Sequence, residues 1–250
     1  MKRTLFVRLT LTLVALIVLA VAGFILWASS PAALQAEAQN VLVGDDALTV
    51  VQDAWLAFIP EGAPPTVGVI FYPGGRVAAN AYAPIVRAVS ETTGALGVIT
   101  PMPLNLAVFN PEAADAVQAA YPEVTRWIIA GHSLGGAMAA RYAHDNADRV
   151  AGVVLLAAYP EESKSLAALT VPVVSISASE DRLATPDDIA ATRPLLPTEA
   201  DVIVIEGGNH AYFGSYGEQS GDGTATVTRD AQQAIVIDAM AALVREIAAR

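Results

Sequence analysis

Apolar and polar positions divide the chain into two regimes. Residues 9–27 form 19 consecutive uncharged positions, interrupted only by Thr10, Thr12 and Gly23. A helix of that length rises roughly 28 Å, close to the about 30 Å hydrocarbon thickness of a bilayer. It has no polar face, so the amphipathic pattern of a core helix is missing. From about residue 48 onward the pattern changes to short apolar runs. Those at 54–59, 67–72, 96–100, 127–130, 150–157, 171–177 and 202–205 predict strands. Several are continuous rather than alternating, as expected of strands covered on both faces. Helical spacing predicts helices over 81–93, 111–120, 133–144, 186–193 and 230–249; the last sets Val236, Ala239, Met240, Leu243 and Ile247 on one face. Regular alternation of strand and helix over roughly 200 residues predicts an α/β fold, a mostly parallel sheet wrapped by helices.

The flanks of the first run give it a direction. Lys2, Arg3 and Arg8 precede it, and no basic residue follows until Arg76. The positive-inside rule keeps the N-terminus in the cytoplasm and sends the remainder across. A cleaved signal peptide shares the basic start, but its apolar region is normally about 7–15 residues and ends at a small-x-small site. Here the run is longer, and the nearest such site, Ala36-Glu37-Ala38, lies well past it. The expected organisation is therefore a membrane anchor over 1–30, a polar connector over 31–46 carrying Gln35, Glu37, Gln39 and Asn40, and one domain over 47–250. If the segment is cleaved instead, the protein is secreted or periplasmic.

Composition narrows the partners. Hydrophobic residues make up 54% of the 250 and charged residues 16%, which excludes a disordered, solvating chain. Three of the 14 Lys and Arg residues and none of the 25 acids lie in the first 30 positions. Residues 31–250 thus hold 11 cations against 25 acids, a net charge of −14. A body so acidic repels phosphate backbones, so no nucleic-acid partner is expected. The absence of cysteine excludes disulfides, thiolate nucleophiles and Cys-ligated metals. With His132, His144 and His210 as the only histidines, a His-built metal site is not expected either.

The candidate chemistry begins at residue 131. Trp127-Ile128-Ile129-Ala130 runs into Gly131-His132-Ser133-Leu134-Gly135 and then into the small-residue segment Gly136-Ala137-Met138-Ala139-Ala140. Strand, G-x-S-x-G and helix in that order make a nucleophile elbow. The turn is so sharp that glycine is required two residues either side of the serine. It lifts the Ser133 hydroxyl above the sheet, where the helix N-terminus and the Leu134 N–H can stabilise a developing oxyanion.

On these residues the chain resembles the α/β-hydrolase superfamily, in its serine-nucleophile branch, over about residues 48–250. The resemblance implies a triad in the order Ser, acid, His. His132 sits in the elbow beside the nucleophile, and His144 lies roughly 16 Å along the following helix. His210, after the run 202–205 and the turn Glu206-Gly207-Gly208-Asn209, stands where the family places its base. The acid is expected in Ala178-Ser179-Glu180-Asp181-Arg182, with Asp181 favoured over its neighbour Glu180. A second oxyanion donor is expected from Tyr72-Pro73-Gly74-Gly75-Arg76, at Gly75 or Arg76. This loop has Tyr72-Pro73 where many relatives have histidine. The loops 101–109 and 211–223 are expected to shape the pocket, with Met102, Leu104, Phe109, Tyr212 and Phe213 equally readable as packing residues.

Serine at the elbow sets the chain apart from relatives with Asp or Cys nucleophiles. Only about a dozen residues separate the runs 150–157 and 171–177, too few for a helical lid, which favours small esters over long acyl chains. The expected activity is carboxylic-ester hydrolysis outside the cytoplasm, with no cofactor and no metal. An acyltransferase with the same triad and a non-catalytic binding protein on the same fold are the alternatives.

Overall fold

A computed structural model describes residues 2–250 of the chain. Helix α1 (Lys2–Ala28) and the short α2 (Ala36–Asn40) come first. The strands are β1 (Leu48–Gln52), β2 (Leu56–Pro60), β3 (Val67–Tyr72), β4 (Leu96–Ile99), β5 (Arg126–His132), β6 (Gly152–Leu156), β7 (Val173–Ala178) and β8 (Asp201–Ile205). Between and after them run α3 (Ala83–Thr93), α4 (Ala113–Ala120), α5 (Leu134–Asp145), α6 (Pro186–Ala191) and α7 (Arg229–Ala248).

One eight-stranded sheet has the order β1-β2-β4-β3-β5-β6-β7-β8. β1 and β2 are antiparallel, as are β2 and β4; all other pairs are parallel. The fold is therefore the α/β-hydrolase fold, with a mostly parallel sheet flanked by helices. Period-two alternation along the central strands feeds two cores. Val69 and Phe71 of β3, with Ile128 and Ala130 of β5, face the layer made by α3 and α7. Ile70, Tyr72, Ile129 and Trp127 face the layer of α4 and α5. This two-sided burial explains the continuous apolar runs.

Most sequence boundaries agree within two residues. β1 was not predicted as a separate strand: Leu48-Thr49-Val50-Val51-Gln52 is an edge strand with only Leu48 buried, so its apolar signal is short. The helix expected from residue 81 begins at Ala83, after a 3₁₀ turn over Ala79–Tyr82.

β3 has β4 on one side and β5 on the other, the point where strand order reverses. Ligands in open parallel sheets bind beyond the carboxyl ends of strands at such a point. The loops after β3 and β5 are 73–76 and the turn at Ser133.

Helix α1 differs from the rest. Its segment Phe6–Ala28 is long and apolar enough to cross a membrane, and its large side chains are exposed, Leu19 at 68% and Leu26 at 70%. Residues 29–35 lie against the domain rather than apart from it. Ala32 N–H donates to Arg76 O (2.9 Å), Gln35 N–H to Ser215 O (3.0 Å), and Leu34 bridges to Tyr216.

Candidate active site

Ser133 stands between β5 and α5 with φ 52° and ψ −124°, a region non-glycine residues rarely adopt. Its N–H is held by Leu156 O at the end of β6 (2.9 Å). The close crossing of strand and helix explains the flanking glycines. A Cβ on Gly131 would lie 2.6 Å from Gly135 O, and one on Gly135 would lie 2.2 Å from Tyr72 O. As the residue capping α5, Ser133 sits at the positive end of that helix.

The structure brings His210 and Asp181 together from loops after β8 and β7. His210 Nδ1 donates to Asp181 Oδ2 across 2.7 Å, with both residues nearly inaccessible, at 1% and 2% exposure. The other oxygen, Oδ1, accepts the N–H groups of Leu183 (2.7 Å) and Ala184 (2.9 Å), so the carboxylate is fixed on both sides. Among the described residues no hydrogen bond joins the Glu180 carboxylate to His210. With Nδ1–H hydrogen-bonded to Asp181, the acceptor nitrogen of the His210 ring is Nε2, and that atom has no partner among the described residues.

His132 ends β5, fully buried, with its ring centroid 4.5 Å from that of His210. Tyr82 hydroxyl accepts from Gly74 N–H (3.0 Å) and donates to His132 Nδ1 (2.8 Å), tying the loop after β3 to the elbow. Burial, and next the neighbouring His210, push His132 well below the usual histidine pKa, so its imidazole is neutral at pH 7. Burial raises the Tyr82 hydroxyl far above its ordinary value, keeping the donated proton in place. His144 is elsewhere, on the exposed side of α5 against Ser165 O (2.8 Å).

Ser133 and Leu134 line a cavity of about 500 Å³ together with Gly75 and Leu106, with Glu218, Gln219 and Ser220, and with Trp27, Ser30, Pro31 and Ala32. The N–H groups of Leu134 and Gly75 carry no hydrogen bond among the described residues. Arg76, expected as an alternative oxyanion donor, is corrected: its N–H donates to Asn105 O (2.8 Å), and its guanidinium donates to Trp27 O (3.0 Å) and Ser30 O (2.9 Å). Its backbone N–H is therefore not available to a substrate oxygen. Of the residues expected to shape the pocket, Phe213 is fully buried against His132 (5.6 Å between ring centroids) and Met102 belongs to the core. Leu106, within the loop 101–109, takes the lining role.

Sequence reasoning missed the supports of the His210 loop. Asp222 accepts three N–H groups, from His210 (3.2 Å) and Gly223 (2.7 Å) at Oδ1 and from Ala211 (2.9 Å) at Oδ2. Buried Gln232 of α7 pairs with both backbone groups of Asn209 (3.0 and 2.8 Å). Arg229 donates to Ala211 O (3.0 Å) and to Gly214 O. Asp222 carried one signal, its place between Gly221 and Gly223; Gln232 carried only the oddity of an amide on an apolar helix face.

A strained serine at a helix N-terminus, two backbone N–H groups on the wall of the same cavity and, behind that wall, a buried His–Asp pair are the parts from which acyl-transfer sites are built. The model of the alpha/beta hydrolase family matches residues 68–234, more than half of the chain, and the chain belongs to that family. Among solved structures, a hyperthermophilic esterase from the archaeon Pyrobaculum calidifontis superposes with TM-score 0.61 at 16% identity, covering 85% of this chain and 89% of that one. Est1E from Butyrivibrio proteoclasticus, with ferulic acid bound, gives 0.62 at 14% identity, covering 83% and 99%. A thermostable esterase from Pseudomonas putida gives 0.56 at 17% identity, covering 84% and 86%. At these identities the likeness is one of fold. No curated protein matches the chain.

Proposed function

We propose that the protein is a carboxylic-ester hydrolase working through a Ser133 acyl-enzyme. The observation that carries the reading is the buried His210–Asp181 pair, 2.7 Å apart, whose ring packs 4.5 Å from that of His132, the residue before the strained serine, and whose Nε2 has no partner among the described residues. That the similar folds include proteins described as esterases adds support.

Ser133 Oγ attacks the ester carbonyl as its proton passes to His210 Nε2. Asp181 holds the ring and stabilises the imidazolium that forms. The carbonyl oxygen becomes an oxyanion that accepts from the N–H groups of Leu134 and Gly75, at the positive end of α5. The tetrahedral intermediate collapses, and the alcohol leaves with the proton from Nε2. Water then gives a proton to Nε2 and its oxygen to the acyl carbon, and Ser133 recovers its proton as the carboxylic acid departs. Among the described residues His210 Nε2 has no hydrogen-bond partner, and the Ser133–His210 hydrogen bond that the mechanism requires is one that forms in the substrate complex.

α1 anchors the protein, with its N-terminus in the cytoplasm and the hydrolase domain on the far side. The support is the basic start of the chain together with an exposed apolar helix long enough to cross a bilayer.

A panel of chromogenic esters of rising acyl length, with and without an added alcohol, tests the activity. Release of free acid supports hydrolysis. Transfer to the alcohol in place of acid release contradicts it in favour of acyl transfer, and no turnover of any ester contradicts both.

A further inference from the structure

The end of α1 is built into the cavity wall. The last four carbonyls of this helix have no partners within the helix, yet each accepts a hydrogen bond. Ile25 O takes Ser29 N–H (2.8 Å) and Leu26 O takes Ser30 Oγ–H (2.8 Å). Trp27 O takes Arg76 Nε–H (3.0 Å) and Ala28 O takes Asn105 Nδ2–H (3.0 Å). The Arg76 guanidinium also lies 4.5 Å over the Trp27 ring and brings a cation to the negative end of the helix. Ala28 is fully buried. A helix clamped in this way is a fixed strut, not a tether from which the domain swings.

The strut fixes where the cavity opens. Trp27 and Ser30 line it, at the end of a span whose apolar surface is exposed up to that level. Beside it Phe109 (50% exposed) meets Phe24 edge-on, ring centroids 6.3 Å apart, and Val108 (45% exposed) is adjacent. The apolar surface of the helix thus continues without a break onto the loop next to the cavity. Glu218, Gln219 and Ser220 supply polar groups to the same cavity. The backbone is strained at this joint: Arg76, Leu104 and Asn105 have φ of 56°, 54° and 55°. Such strain persists only where surrounding structure holds it.

Resting on the hydrolase and anchor readings above, we infer that the cavity opens at the membrane–water interface and takes uncharged amphiphilic esters lodged in the outer leaflet. The acyl chain lies along Trp27, Val108 and Phe109, and the alcohol portion meets the polar side at 218–220. Charge disfavours anionic headgroups. The domain carries −14 and Glu218 lines the cavity, against the single cation among the described residues of its wall, Arg76, two of whose N–H groups are held by Trp27 O and Ser30 O. About 500 Å³ accommodates the ester group and part of a chain, within the about 300–1,000 Å³ of small-ligand sites. The rest of a long chain stays in lipid. The missing lid fits this arrangement, because the bilayer itself covers the apolar rim.

The test uses full-length protein in phosphatidylcholine vesicles. Dioleoylglycerol is placed either in the same vesicles or in separate ones, and p-nitrophenyl acetate in the water phase reports turnover of a soluble ester. The expected result is oleate release from the same vesicles, at least about ten-fold slower from separate ones. In the Val108→Ser, Phe109→Ser variant the ratio of membrane-held to soluble ester turnover falls about ten-fold, from the lost apolar contact. Equal rates in the two vesicle arrangements overturn the inference, as does an unmoved ratio in the variant. Acetate ester turnover without oleate release also overturns it and leaves the hydrolase reading standing. Failure to turn over either ester removes that reading and the inference with it.

Discussion

Asp222→Asn changes one oxygen to NH₂ and tests how the His210 loop is held. The aspartate gathers three N–H donors, two at Oδ1 and one at Oδ2. An asparagine that keeps its oxygen toward His210 and Gly223 turns NH₂ toward the Ala211 N–H, 2.9 Å away in the native contact. The flipped amide sets NH₂ against two donors instead. Either way a charge-assisted bond becomes a donor–donor clash. Such bonds contribute about 1.5–3 kcal/mol each, and a stranded half-buried N–H costs about 1–3 more. A loss of about 2.5–6 kcal/mol in stability follows, read as a lower urea midpoint with unchanged slope. The clash also pushes residues 210–211 outward, away from Asp181 and Ser133. A displacement on the order of 1 Å at a reacting group costs about 100-fold in rate, so kcat/KM for a soluble ester should fall about 10- to 100-fold where the variant is still fully folded. If the urea midpoint and kcat/KM both stay within experimental error of wild type, Asp222 does not position the base.

Three other outcomes follow from the same contacts. Asp181→Asn offers an NH₂ group to His210 Nδ1 and so favours the wrong tautomer; kcat should drop about 10⁴-fold, and a loss under ten-fold in a folded variant contradicts the acid assignment. Gly135→Ala drives a Cβ to 2.2 Å from the Tyr72 carbonyl oxygen, so soluble expression should collapse, while a stable, active variant would show that β3 and α5 separate freely. For His132 the sign is set by a folded pKa below the unfolded one: the unfolded chain takes up a proton near pH 6.5 that the folded chain refuses, so stability falls as pH drops below about 6.5, by up to about 1.4 kcal/mol per pH unit. Replacing it in His132→Gln should flatten the dependence of the urea midpoint between pH 6.5 and 5, and an unchanged slope would refute the buried neutral imidazole.

What was legible in the sequence was what local rules enforce. Strands β3 and β5 announced themselves because burial on both faces leaves no room for polar residues between 67–72 and 127–130. The elbow was legible because its backbone geometry excludes every residue but glycine at positions 131 and 135. The joint between α1 and the domain was not. Arg76 reads in sequence as the end of a glycine-pair loop and a candidate oxyanion donor. Its actual partners, Trp27 O and Ser30 O, lie more than 40 residues earlier and are backbone atoms, which leave no compositional trace. For the same reason residues 31–46 read as a polar connector, although Ala32 and Leu34 are docked by main-chain contacts. The Gln232 clamp on Asn209 escaped for a related reason, since an amide that satisfies buried backbone groups looks like any other polar position on a helix.

The central claim is that Ser133 is a nucleophile activated by His210, and a covalent fluorophosphonate probe addresses it most directly. Full-length protein is incubated with the probe, digested, and the adduct mapped by mass spectrometry. The expected result is a single adduct on Ser133, formed by the wild type and slowed by orders of magnitude in His210→Ala, with no labelling of Ser133→Ala. Absence of any adduct on folded wild-type protein, or an adduct on another residue that survives Ser133→Ala, would contradict it.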